Sequence, residues 1–502
     1  DLKEKDDVRR YRMLAEEIAR LVKKYRGSLS GEHGDGRLRG EFIPLMLGEH
    51  NYNLLKEIKK TWDPERIFNP GKITDAPPMD SHLRSQAVRK DPVLTTTFRF
   101  PEERGYLHAV EMCSGSGDCR KSSLIGGTMC PTFMATADED KSTRGRANIL
   151  REFLAREDKK NPFDHKELYQ IMDLCISCKA CKSECPSNVD MTRLKAEFLQ
   201  HYYDIHGIPL RALLVGWLPR LYKLALLVRP LSNFLMRQAL FKKMIGFSPE
   251  RRVPALSPVT LTAWKRKNDR RDAEKKTVYL FADEFTNYNE SDIGIKVILL
   301  LEKLGYNVVI PKHRESGRTL LSKGMLKAAS RVAAKNILLL KDLVTDESPL
   351  IGIEPSAILT FRDEYPELSA GMLAESAARL GKNTLLLEEF ICREADRGII
   401  TPDLFTTEGK RILLHGHCQQ KAISSTLFTK KMLSLPVNYS VEEIPSGCCG
   451  MAGAFGYEKE HYDLSMKIGE MVLFPAVRSA DEKTIIAASG TSCRNQIMDG
   501  TG

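Results

Sequence analysis

The run CISCKACKSECP at 175–186 spaces four cysteines as C-x2-C-x2-C-x3-C-P. A compact loop with this spacing wraps three thiolates around one iron–sulfur cubane and sends the fourth to another cluster. Zinc sites use similar C-x2-C pairs, but four cysteines ending in Cys-Pro favour iron–sulfur. Seven of the twelve cysteines lie between positions 113 and 185, a spacing that fits metal ligation rather than a disulfide scaffold.

An earlier stretch, CSGSGDC at 113–119 followed by Met129-Cys130-Pro131, is a degenerate copy of the same motif. Cys113 and Cys119 stand as first and third ligands, Ser116 occupies the place of the middle cysteine, and Cys130 supplies the fourth type. Cross-ligation then groups Cys130 with Cys175, Cys178 and Cys181 as a complete [4Fe–4S] site. Cys113, Cys119 and Cys185 form a second site with three thiolates, open to a [3Fe–4S] cluster, a [4Fe–4S] cluster with a non-Cys ligand, or no cluster. Between the motifs, Arg144 and Arg146 either raise the potential of a reduced cluster or open a solvated helix.

A second constellation comprises HGHC at 415–418, GCCG at 447–450 and Cys493. Cys418, Cys448, Cys449 and Cys493, brought together at strand ends, would bind iron–sulfur or zinc, with His415 and His417 as assisting or structural residues. Cys392 stands apart and reads as a core thiol. An internal repeat underlies this half: Glu284 corresponds to Cys418, Glu315-Ser316-Gly317 to Cys448-Cys449-Gly450, and Ser356-Ala357 to Ser492-Cys493. The first copy has lost its cysteines. From about residue 277, apolar strand-like runs alternate with helices (TVYLFA, GIKVILLLEKLG, YNVVIP), and the alternation restarts at RILLHG, which argues for α/β units with parallel sheets.

Residues 1–75 read as a helix at 11–25, a Gly-rich stretch (GSLSGEHGDGRLRG), a second helix, and the terminating loop DPERIFNPGKI. Residues 76–105 read as a polar linker, and helices are expected at 144–156, 166–174 and 191–203. Residues 205–272 form a basic, Leu-rich helical linker. Its charges and prolines interrupt every apolar run short of the ~20 residues a spanning helix needs, leaving either a surface-lying amphipathic segment or a helix packed on a neighbour. The net charge of +10 suits an anionic partner or simply a basic surface. With 7% aromatics and no long Lys/Arg block, nothing points to nucleic acid. The chain opens at Asp1 within a helical pattern and is expected to be a piece of a longer polypeptide, cytoplasmic and peripheral on the inner membrane face.

These residues resemble known families. GEHGDG with DPERIFNPGKI is similar to the C-terminal end of FAD-linked oxidases of the vanillyl-alcohol-oxidase type, the group of D-lactate, glycolate and D-2-hydroxyglutarate dehydrogenases. The paired cysteine motifs resemble the α-helical ferredoxin module of the iron–sulfur polypeptides of glycolate oxidase and anaerobic glycerol-3-phosphate dehydrogenase. The two α/β copies resemble CCG cysteine-rich repeats. The resemblance implies a mixed multidomain fold: the end of an α+β FAD-linked oxidase domain (1–75), an α-helical ferredoxin domain (106–204) and two α/β CCG-type repeats (273–400 and 401–502). It also implies that Glu32 and His33 lie near flavin and substrate, as a metal- or substrate-binding pair, and that Asn69 and Lys72 line the flavin.

The implied activity is FAD- and iron–sulfur-dependent oxidation of a small D-2-hydroxy acid of the D-lactate type, with FAD held mainly by residues upstream and electrons leaving to a quinone or cytochrome. The alternatives are an iron–sulfur subunit of a glycolate or glycerol-3-phosphate system, and a non-catalytic metal-binding scaffold.

Overall fold

The structure, a computed structural model, describes residues 2–83, 94–101, 103–154, 161–269, 272 and 274–502. It divides into two compact units, Asp1–Pro92 and Val93–Gly502.

The first unit is helical. Lys5–Lys24 starts with acidic residues and ends with basic ones, the sense that complements the helix dipole. It is followed by Ile43–Leu47 and Glu49–Trp62. No strand occurs among its described residues, and the helix, Gly-rich stretch, helix and loop follow one another as the sequence suggested. Asp63 explains the terminating loop: its buried carboxylate accepts from Ile67 N (2.8 Å), Phe68 N (3.0 Å) and Lys59 Nζ (2.6 Å). Of the expected 76–105 linker, residues 84–93 and 102 lie outside the described residues.

In the second unit, short helices carry the cysteine motifs, and the expected helices form as Thr143–Leu154, Lys166–Asp173 and Met191–His206. Residues 155–156 of the first expectation lie outside the described residues. Asp190 caps Met191–His206 by accepting from Thr192 N and Arg193 N. Phe98, Phe100, Tyr106 and Phe163 pack edge to face in series, and Phe163 stacks on His201 of this helix. One continuous buried cluster runs from these rings through Phe198 and Leu199 to Ile337 and Phe361, so residues 204 and 272 mark no break in packing. Gly324 (φ +69°) makes the approach close: a Cβ there would sit 2.2 Å from Leu199 Cβ.

Two all-parallel sheets follow. β1 (Lys276–Leu280), β2 (Tyr306–Val309), β3 (Leu350–Gly352) and β4 (Thr384–Leu386) lie in the order β2-β1-β3-β4. β5 (Lys410–His415), β6 (Tyr439–Glu443) and β7 (Ile485–Ala488) lie in the order β6-β5-β7. The β2-β1-β3 order thus recurs as β6-β5-β7, and in both cases the central strand is the first in sequence.

Beside the first sheet lies a hydrogen-bonded polar pair. Glu284 accepts from Ser316 N (2.9 Å) and Ser316 Oγ (2.6 Å), both residues being buried. Burial pushes the Glu284 carboxyl above its usual range. Replacing Glu284 by Ala strands a buried amide and should cost about 1–3 kcal/mol. Glu284→Gln, neutral and still able to accept, should cost well under that. Denaturant unfolding of the two variants measures the difference.

Candidate metal centres

Two loops without a core of their own meet in the ferredoxin-type region. The carboxylate of Glu184 accepts from Thr128 N (2.8 Å) and Met129 N (3.1 Å), which anchors the residues leading into Cys130 on the 175–185 loop. Ser187 Oγ bonds Ser114 Oγ at 2.8 Å, which joins the Cys113 loop to the Cys185 end of the same motif. Cys113, Cys119, Cys130, Cys178, Cys181 and Cys185 are buried and Cys175 is half-buried. The Cys119 and Cys130 thiols, assigned to separate clusters by spacing, lie against each other, so the two sets form one continuous sulfur patch.

The backbone around this patch is arranged for anions. Ser177 and Lys179 are left-handed (φ 52° and 64°), as are Cys130 (57°) and Asn188 (50°). Alternation of this kind turns successive amides inward, the geometry of anion-binding nests. The N-terminus of Thr143–Leu154 faces the sulfurs: Thr143 N donates to Cys130 Sγ at 3.1 Å and Arg144 N to Cys119 Sγ at 3.3 Å. Donation from the Cys130 thiol, together with the Arg144 amide, pulls Cys119 down to about 6. Burial pushes the Cys181 thiol up.

Arg146 is 2% exposed, and its partners are the neutral oxygens of Ile171 (3.2 Å), Lys141 (2.6 Å) and Thr132 (3.3 Å). No carboxylate among the described residues pairs with it. A buried cation without a counter-charge is costly, whereas beside Cys130 an anionic cluster supplies one. The residues therefore fit iron–sulfur clusters. Arg144, by contrast, is partly exposed and bonds Glu139 (2.8 Å).

Sequence reasoning missed a buried ion network on the ligand loop. Lys179, between two cysteines and fully buried, meets Asp363 and Glu364 (2.6 Å), Lys182 meets Asp363, and Arg318 meets Glu364 at 2.7 Å. Burial works against the charged Lys179, but Asp363 and Glu364 more than offset it and hold its pKa above the ordinary lysine value. Only a cation inside the C-x2-C spacing hinted at this, and its partner lies 184 positions away.

The second constellation also assembles. The thiols of Cys418, Cys448, Cys449 and Cys493 form a chain of neighbouring contacts. A ring nitrogen of His415 and the Cys449 and Cys493 sulfurs lie within 4.8 Å of one another, all buried. His415 Nδ1 bonds Ser446 Oγ at 2.7 Å. His417 Nδ1 accepts from Gln419 N at 3.2 Å, and its Nε2 lies 3.8 Å from Glu354. Helix Cys418–Ile423 packs on Ala180–Glu184, and a Cβ on Gly447 would meet Gly127 O at 3.0 Å. The two centres are neighbours. Cys392 is a buried thiol donating to Phe428 O at 3.2 Å, as its isolated position suggested.

In the first unit Glu32 and His33 stand 4.0 Å apart with side chains about 90% exposed. Lys72 Nζ bonds Asn69 Oδ1 at 3.3 Å, both on the surface.

Two separate stretches of the chain match known families. Residues 1–73 match the family "FAD linked oxidases, C-terminal domain", and residues 112–190 match "4Fe-4S dicluster domain". Over 98% of its length the chain is 26% identical to D-2-hydroxyglutarate dehydrogenase of Escherichia coli (strain K12) and 28% identical to that of Pantoea ananatis (strain AJ13355), covering 52% of each. It is 27% identical to one of the polypeptides of the anaerobic glycerol-3-phosphate dehydrogenase of Escherichia coli (strain K12), over 49% of this chain and 61% of that one. The chain thus spans about half the length of the D-2-hydroxyglutarate dehydrogenases it matches. No solved structure matches it.

Replacing Glu184 by Ala removes the acceptor for two amides beside Cys130. Iron and acid-labile sulfide in anaerobically purified protein should fall together, and Glu184→Gln should retain more of both. Full iron in the Ala variant would show that the tie does not hold the site.

Proposed function

We propose that this chain is the electron-transfer half of an FAD- and iron–sulfur-dependent D-2-hydroxy-acid dehydrogenase. The observation that carries the reading is the meeting of the Cys130 segment with the 175–185 loop through Glu184, downstream of a flavin-oxidase segment. When bound, the flavin takes two electrons from the hydroxy acid and the clusters pass them on singly. Within the chain, Cys130, Cys175, Cys178 and Cys181 would hold the complete cluster, and Cys113, Cys119 and Cys185 the second. The Thr143 and Arg144 amides and Arg146 would stabilise the extra negative charge of a reduced cluster. Glu32 and His33, open on the surface of their own unit, would face substrate beside the upstream flavin-binding half, with Asn69 and Lys72 toward the flavin.

The shared strand order of the two sheets and the near-constant offsets along the chain support two copies of one CCG-type module, the first without thiols. The D-2-hydroxyglutarate dehydrogenases named above make a dicarboxylic hydroxy acid a candidate beside D-lactate. Similarity to the glycerol-3-phosphate dehydrogenase polypeptide favours a second reading, a separate iron–sulfur subunit, but it covers only 49% of the chain, and the flavin-oxidase segment speaks against it. The protein comprising this chain and its flavin-binding half should bleach on addition of D-2-hydroxyglutarate or D-lactate. Cys181→Ser should leave bleaching intact and abolish most transfer to a quinone analogue. Failure of every D-2-hydroxy acid to bleach the flavin would remove the reading.

A membrane-borne acceptor is supported by residues 210–244. No helix among the described residues is long and apolar enough to cross a membrane. Yet Leu210, Leu224, Leu227, Leu231, Phe234 and Leu240 are exposed, interleaved with Arg220, Lys223, Arg229 and Arg237. Such a face suits the surface of an anionic bilayer. The full chain should sediment with anionic vesicles, less so at high salt, and Leu227, Leu231 and Phe234 changed together to Ser should release it.

A further inference from the structure

We infer that the cavity beside Cys175 is the site where a membrane quinone takes electrons from this chain, which rests on the dehydrogenase reading above and places its acceptor. The cavity has a volume of about 210 Å³. It lies between the 173–177 stretch, helix Met191–His206, the start of the Leu-rich segment and the 452–458 turn. Of the seven cysteines in the ferredoxin-type region, Cys175 is the one left half-buried, the other six being buried. Cys175 lines this cavity. The ligand loop is thus least covered where the cavity meets it.

The walls offer hydrogen-bond donors and rings, and their acids are already taken. Lys195, a wall residue 7% exposed, donates to Asp173 O (3.3 Å) and Cys175 O (2.5 Å). An ammonium has three N–H donors, so one remains for a ligand oxygen. The Tyr169 and Tyr203 hydroxyls bond each other, and the one that accepts keeps its own proton to donate. Asp173 and Glu458 are each held by His461 at 3.1 Å, and Glu458 also meets Lys323 and Arg211. Phe455, whose ring stacks on His461 at 4.2 Å, adds an aromatic wall, and Leu199 and Ala212 add aliphatic ones. Donors set among apolar surface suit an uncharged ring that carries carbonyl oxygens.

The mouth suits a ligand that arrives from a bilayer. Pro209, Arg211 and Ala212 line the cavity, and they begin the segment whose exposed leucines suit an anionic membrane surface. Around them Ile205, Ile208, Leu210 and Leu213 are exposed, an apolar rim for a hydrocarbon tail. A quinone in this position gains, one at a time, the two electrons that the hydroxy acid loses at the flavin as it becomes a keto acid. The two protons lost by the hydroxy acid pass to solvent. Two protons from water at the mouth form the two O–H bonds of the hydroquinone as its C=O bonds become single.

The test is photolabelling of the protein comprising this chain and its flavin-binding half, with an azido-substituted short-chain ubiquinone as probe and decylubiquinone as competitor. Label should fall on peptides holding residues 169–177, 195–212 or 452–458, and decylubiquinone should displace it. Label confined to other stretches, or undiminished by the competitor, overturns the site. Ala212→Phe and Ala454→Phe fill the cavity from two elements, and each should weaken decylubiquinone binding about tenfold or more in equilibrium dialysis. Iron, acid-labile sulfide and electron transfer to ferricyanide, which needs no cavity, should stay at the wild-type level. Unchanged decylubiquinone binding in both variants overturns the site as well. Labelling of the unmodified protein decides the matter even where a variant folds poorly. Neither labelling nor dialysis requires turnover, so both remain readable if no hydroxy acid reduces the flavin.

Discussion

The carboxylate of Glu184 ties together two stretches that sequence separates by more than fifty residues. Each of its oxygens takes one amide, from Thr128 and Met129, so Cys130 is delivered to the 175–185 loop with little freedom. The proposed cross-ligation depends on that delivery, because it joins Cys130 to the set of Cys175, Cys178 and Cys181. Everything around the joint favours negative charge: left-handed residues that turn amides inward, a helix N-terminus aimed at sulfur, and Arg146 buried among neutral oxygens. Without an anion, these features would leave a desolvated positive site. With one, they compensate each other.

The two α/β sheets show how one topology serves different chemistry. Both place their first strand centrally, which brings the strand ends and following turns together at one edge. In the second sheet that edge gathers sulfur and imidazole. In the first it carries Glu284 bonded to Ser316, a buried polar pair satisfied by its own hydrogen bonds. Residues following the first sheet's third strand brace the cysteine loop. Asp363 and Glu364 meet Lys179 and Lys182 on the cluster loop. A charge network buried this deeply tolerates little displacement, since separating any partner strands an ion in a low-dielectric interior.

Much of the site was readable because cluster ligation demands short, rigid spacings. CISCKACKSECP and the degenerate CSGSGDC run are local patterns, and the parallel sheets announced themselves through apolar runs alternating with helices. Other features escaped for equally physical reasons. Lys179 and Asp363 are partners only after folding, and nothing in either neighbourhood marks the other. Arg146 read equally well as a solvated helix start until burial distinguished it from Arg144. The two helices of residues 1–75 were legible from their amphipathic pattern and the Gly- and Pro-bearing loops that bound them. The ferredoxin region and the first sheet share one core, because the linker-like composition between them does not prevent helix Met191–His206 from packing on Gly324.

By itself the sequence determined which atoms are available: the number of thiols, their spacing along two loops, and the alternation of apolar runs with helices. Those are covalent facts, and metal coordination reads them directly. Tertiary structure decided distance and desolvation. It made Glu184 a tie rather than a surface acid, gave Arg146 its burial, and left His415 with one nitrogen satisfied and the other without a partner. Ligand identity follows from composition, but the size and charge of the centre follow from how far apart folding holds the ligands and how completely it excludes water.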